Sequence, residues 1–313
     1  MATRPRGRII ARMEEIRAMH IRNPIEWVVE QLEAPGRTIG RTPPEAYWSQ
    51  PQQEEAPVIR AITMADLKAA LRLGLDDFAA CRTDVMFLCL IYPVIGLFIA
   101  GAEAQGRLLP LLFPTASGFA LVGPFFAIGL YEMSRRREIT GKIRWLDMFN
   151  VLRSPSIMPI ALLGLMLIVL FLAWLAVAQG IYDVTLGSAA PASMGALLRD
   201  AFTTPAGWAM IGLGWAAGAL FAVGVLAISV VSFPMLLDRP ATLRTAIEAS
   251  LTAVRRNPVQ LGCWGLLVAA LLFLGALPCF VGLIVALPVL GHSTWHLYRK
   301  LVAPPAASPL SSL

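Results

Sequence analysis

Two histidines set four residues apart, His292 and His296, are the sharpest chemical feature of this 313-residue chain. That spacing places both imidazoles on one face of a helix, where they could share a metal ion or meet a haem propionate. Nothing nearby in sequence completes a ligand set, since no carboxylate or cysteine adjoins them. Trp295, Tyr298, Arg299 and Lys300 do adjoin them. The favoured reading is therefore an anchor belt, with amphipathic rings at headgroup level, and neither a metal nor a cofactor is expected.

Glu132 and Asp238 are the second feature. Glu132 precedes Arg135 and Arg136, and Asp238 precedes Arg239. Acids beside arginines at the ends of apolar segments can form a gate or a binding rim, and they also fix helix ends by charge pairing. Together with Arg255, Arg256, His292 and His296 these residues make up the candidate face for interaction or gating. No Ser-His-Asp order, P-loop, HExxH string or glycine-rich dinucleotide fingerprint occurs, so no catalytic residues are expected and the protein is not read as an enzyme. The cysteines at 81, 89, 263 and 279 form no close pair and read as apolar fillers.

The elements that must position these groups are apolar to an unusual degree. Hydrophobic residues make up 57% of the chain and charged ones 15%, with a mean hydropathy of +0.66. Such a composition belongs to a protein whose solvent is lipid. Six stretches are long enough to cross a ~30 Å hydrocarbon core at ~1.5 Å per residue. They run over about 85–102, 108–131, 156–179, 207–237, 259–277 and 279–298. The expected architecture is all-α and polytopic, a six-span bundle over 63–300 with a polar arm before it (1–62) and a short tail after it (301–313). Prolines 93, 110, 114, 124, 159, 234 and 288 lie within or at the ends of the spans and predict kinks. Pro278 should turn the last two spans into a tight hairpin.

Lys and Arg alternate along the chain as the positive-inside rule requires. Residues 1–84, before the first span, hold 12 and the following loops one, six, one and four, with two in the tail. Both termini and loops two and four are thereby placed in the cytoplasm, with 24 of the 26 basic residues on that side. The net charge of +6 has its explanation in topology and attraction to anionic headgroups. No nucleic-acid partner is expected, because residues 1–84 balance 12 basic residues with 12 acids and no recognition module accompanies them.

Within the arm, Ile9, Met13, Ile16 and His20 fall at helical spacing between charges and predict an amphipathic interfacial helix. The segment 36–57, rich in proline, reads as a linker. Thr63 and Asp66 have the spacing of a capping box, and Leu67, Leu71 and Phe78 share a face of the helix that follows. Loops two and four each predict a helix along the cytoplasmic surface. Their apolar faces would be Trp145, Met148, Phe149 and Leu152 in one, and Leu243, Ile247, Leu251 and Val254 in the other. The two loops run over nearly equal distances, Met133 to Pro155 and Met235 to Pro258, which would suit a parallel internal repeat. Gly214-x-x-x-Gly218 and Gly96-x-x-x-Ala100 are patterns that let helices approach closely, within the chain or with a partner.

Four strings, GLYEMSRRRE (129–138), FPMLLDR (233–239), RRNP (255–258) and LPVLGHSTWHLYR (287–299), resemble the DUF2189 family of bacterial integral membrane proteins. The resemblance covers roughly residues 66–300 and implies a bacterial inner membrane, a source that 23 Arg against three Lys also suit. Some members of that family carry the label cytochrome c oxidase subunit I. A haem-copper centre needs about six histidines, and three are present, so that activity is rejected. The expected role is an accessory, assembly or scaffolding component with the lipid bilayer, another membrane protein or a second copy as partner. The alternative is a transporter or channel for an uncharged or amphipathic small solute or lipid. None of the six spans holds Asp, Glu, Lys or Arg in its interior, which argues against a carboxylate proton relay.

Overall fold

The computed structural model describes residues 57–89, 94, 96, 97, 101 and 106–304. The expected amphipathic helix at 8–22, the linker up to residue 56 and most of the first expected span lie outside them. Among the described residues the chain is helical, with no β-strand and one isolated bridge between Ile59 and Val302.

Helix α1 (Met64–Cys89) starts on the expected cap. The Asp66 carboxylate accepts from the Thr63 amide (2.9 Å) and hydroxyl (2.8 Å), and the Asp66 amide reaches the Thr63 hydroxyl at 3.3 Å. Packing begins before that cap: Ile59 and Ile62 are buried. The buried stripe of α1 is Leu67, Ala70, Gly74, Asp77 and Cys81, at alternating steps of three and four. Leu71 and Phe78, expected on the inner face, flank it half-buried. The partner decides this difference. Helix α10 (Leu283–Leu301) runs antiparallel to α1, with Lys300 beside Asp66 and Ser293 against Gly74. A Cβ at Gly74 would lie 2.0 Å from Ser293 Oγ and 2.5 Å from its backbone nitrogen, so small residues occupy the seam. Gly96 faces the ring of Phe280.

The second expected span divides into a 3-10 turn over Gly106–Leu111, α2 (Leu112–Phe126) and α3 (Ile128–Thr140). Leu108–Gly118 and Leu121–Thr140 meet at a bend of 42°. Helix α4 (Ile157–Thr185) packs beside α2, where Trp174 donates from Nε1 to the Pro114 carbonyl at 2.9 Å and Gly118 faces Phe171 and Trp174. A short helix α5 (Met194–Thr203) leads through Pro205 into α6 (Pro205–Ser229), and α7 (Ser232–Asp238) completes that run. Ser193 and Thr204 cap α5 and α6 by accepting from the amides three residues on. Among the described residues three segments are long and apolar enough to cross a membrane, Ile157–Thr185, Pro205–Asp238 and Pro258–Ala276, or four if the bent pair is one span. Helix α10 is not among them, because histidines, Arg299 and Lys300 occupy its second half.

Both loop helices form, with different inner faces from those the spacing suggests. The first is a 3-10 helix, Trp145–Arg153, and three residues per turn align Met148 with Val151 instead of spreading an α-helical stripe. Val151 and Asp147 are buried, Met148 packs on Gly129, and Trp145 and Leu152 are exposed. The second, α8 (Leu243–Arg256), buries Ala246, Ala249, Ser250 and Ala253, with Leu243, Ile247, Leu251 and Val254 half-buried around them. Small side chains let its backbone meet α7: Ser232 donates to the Ala246 carbonyl at 3.0 Å, and the Val231 amide donates to Ser250 Oγ at 3.3 Å. Helix α9 (Pro258–Ala276) follows, and the expected turn at Pro278 is present, with Cys279 and Phe280 at positive φ and Gly275 against Gly282.

Candidate functional site

Four carboxylates organise one end of the bundle. Asp77 of α1 is buried, and its Oδ2 lies 2.8 Å from His296 Nε2 of α10. It also accepts from the Ser134 hydroxyl and from Arg137 Nη1, both on α3. An ionised carboxylate only accepts, so His296 carries its proton on Nε2. The single proton of Ser134 goes to Asp77, so the His292 Nδ1, 2.8 Å from Ser134 Oγ, must be the donor of that contact. His292 Nε2 is then a bare acceptor, and it is buried without a hydrogen-bond partner. Burial opposes ionisation of Asp77, yet the bonds from His296 and Ser134 outweigh it and hold the carboxyl below its usual range.

Glu138 and Asp238 clamp the end of α10. Glu138 accepts from Trp295 Nε1 at 3.2 Å and from Arg299 Nε at 3.1 Å, while Asp238 accepts the Tyr298 hydroxyl at 2.7 Å and faces Arg299 and Arg239. Trp295, Tyr298 and His292 are no more than 1% exposed. This corrects the anchor-belt reading, since headgroup anchors must reach the membrane surface and these rings point into the bundle. His296, half-buried, is held by Asp77. The carboxylate missing from their sequence neighbourhood is Asp77, delivered by tertiary pairing. Among the described residues no group of three or more His, Cys, Asp or Glu is placed to hold a metal ion.

Glu132, 1% exposed, is the fourth carboxylate. Arg135 binds it through two nitrogens at 2.7 and 3.0 Å, and Arg136 through Nε at 2.8 Å. Beside this knot opens a cavity of about 360 Å³. Its walls come from α3 (Glu132, Arg135, Arg136), the 3-10 helix and the residues after it (Asn150, Arg153 to Ser156), and the end of α7 (Asp238, Arg239). Five of the candidate residues therefore share one pocket: Glu132, Arg135, Arg136, Asp238 and Arg239. Arg255 and Arg256 end α8 as exposed side chains and do not line it.

Residues 112–238 match the DUF2189 family model. That family is described as a predicted integral membrane protein. No curated protein and no solved structure matches the chain. The chain is an integral membrane protein with several apolar helices. The DUF2189 segment is shorter than the resemblance drawn from the four strings, since RRNP and 287–299 fall beyond it. It nevertheless contains the cavity wall from Glu132 to Asp238, whereas Asp77, His292 and His296 lie outside it.

Sequence reasoning missed Asp77, Ser134, Arg137 and Asn257. Asn257 is 1% exposed and latches the segment before α1: its Oδ1 accepts from the Ile62 amide at 2.8 Å and its Nδ2 donates to the Arg60 carbonyl at 3.1 Å. The available signal for Asp77 was its place in a stripe of small residues on α1, which a search for large apolar residues passes over.

Proposed function

We propose that the protein is a non-enzymatic accessory or scaffolding component of a bacterial inner membrane, with both termini and the arginine-rich end in the cytoplasm. In this reading six segments cross the bilayer, with α10 closing the sixth. The observation that carries it is the outer surface of the 3-10 helix. Trp145, Leu146 and Leu152 are exposed there beside the outward-facing Arg144. Apolar and basic side chains presented together on a short rigid element suit contact with another membrane component. The buried acids Asp77 and Glu132, by contrast, are already engaged, Asp77 in joining α1 to α3 and α10 and Glu132 by two arginines of its own helix, which leaves them poor candidates for chemistry.

The test is affinity purification from native membranes in mild detergent, comparing the wild type with Trp145→Ala/Leu152→Ser. A protein recovered at near one-to-one ratio with the wild type and lost with the variant supports the reading. Recovery of the chain alone in both cases overturns it and favours a carrier for an amphipathic solute or lipid.

A further inference from the structure

The cavity beside Glu132 combines an arginine-rich wall with a position at the boundary between polar and apolar chain. Four arginines line it, Arg135, Arg136, Arg153 and Arg239, against two carboxylates, Glu132 and Asp238. Both carboxylates are already engaged. Glu132 takes Nε and one amino nitrogen of Arg135 but only Nε of Arg136, which leaves the terminal amino nitrogens of Arg136 out of that pair. Asp238 takes the Tyr298 hydroxyl as well as its arginine contacts. The balance of the pocket is cationic, and Asn150, Ser154 and Ser156 add neutral groups able to hydrogen-bond.

Two long apolar segments end at the site. Ser156 immediately precedes the 29-residue apolar helix that begins at Ile157, and Asp238 ends the 34-residue apolar run that begins at Pro205. The pocket therefore adjoins the ends of two segments long and apolar enough to cross a membrane. Planar guanidinium groups match the oxygens of a phosphate and bind it with charge-assisted hydrogen bonds. The volume, about 360 Å³, is that of a small-ligand site and is larger than a bare phosphate requires.

We propose that this pocket binds the phosphate of an anionic phospholipid headgroup, with Arg136 and Arg153 as its principal donors and the glycerol side directed toward the apolar helices. The site is distinct from the exposed face of the 3-10 helix and does not depend on a protein partner there.

The experiment uses the full chain, delipidated in detergent, with native mass spectrometry and thermal shift as readouts. The probes are phosphatidylglycerol, phosphatidylcholine and soluble glycerol 3-phosphate. The expected result is retention of phosphatidylglycerol over phosphatidylcholine by at least about tenfold, weakened by salt, and reduced to parity in Arg136→Gln/Arg153→Gln. The control Arg255→Gln/Arg256→Gln, which removes basic residues outside the pocket, should retain the preference. Should the double variant fail to fold, Arg153→Gln alone makes the same comparison from an exposed position. An equal preference in wild type and pocket variant would overturn the proposal, as lipid would then be held elsewhere. Binding of glycerol 3-phosphate as tight as that of the lipid, with no lipid preference, would also overturn it and identify a soluble phosphate ester as the ligand.

Discussion

Asp77 and His296 stand 219 positions apart in the chain, and their side chains meet at 2.8 Å between α1 and α10. The contact belongs to a network that also holds Arg137, Ser134 and His292, so the two helices and α3 are joined through one carboxylate.

This network predicts an acid-sensitive contribution to stability. The folded-state pKa of Asp77 is depressed, so its contribution is fully present above the unfolded value of about 3.9 and is lost as pH falls through the lower folded value. The groups facing it are Ser134, Arg137, His292 and His296. Melting temperatures in detergent between pH 7 and pH 3 should show Asp77→Asn below the wild type at neutral pH and converging with it in acid. A gap that stays constant down to pH 3 would refute this role.

The crossing of α1 and α10 at Gly74 and Ser293 is too close for any side chain on the glycine. Gly74→Val should cost roughly 1–3 kcal/mol or more, because both the Ser293 side chain and its backbone must move. Gly214 is the internal control, since open space surrounds the position its Cβ would take. Gly214→Ala should stay within about 0.5 kcal/mol of the wild type. Thermal unfolding of the two variants side by side checks both, and equal effects would contradict the packing described.

Asn257 should govern the attachment of residues 57–62. Asn257→Asp keeps an acceptor for the Ile62 amide but removes the donor to the Arg60 carbonyl at a cost of about 0.5–1.5 kcal/mol, while the Ala253 carbonyl still accepts from the residue-257 amide. Limited proteolysis should then cut near Arg60 faster in Asn257→Asp than in the wild type, and faster still in Asn257→Ala. Unchanged cleavage rates would show that the bridge between Ile59 and Val302 suffices without the latch.

The amino-acid sequence by itself determined the solvent, the helical class, the Thr63 and Asp66 cap and the break near Pro278, because each depends on local composition or on neighbours a few residues apart. It also determined that Glu132 and its arginines form a unit, since i+3 and i+4 partners meet on any helix. Which side of each helix faces inward was decided by tertiary packing. On α1 the close approach of α10 selects Ala70 and Gly74 over Leu71 and Phe78, and in the first loop helix a 3-10 winding replaces the expected α-helical stripe. The fate of His292 and His296 was likewise decided in three dimensions. Their charged partner lies at the other end of the chain, and only the antiparallel pairing of α1 with α10 brings a carboxylate to rings that local sequence had left without one.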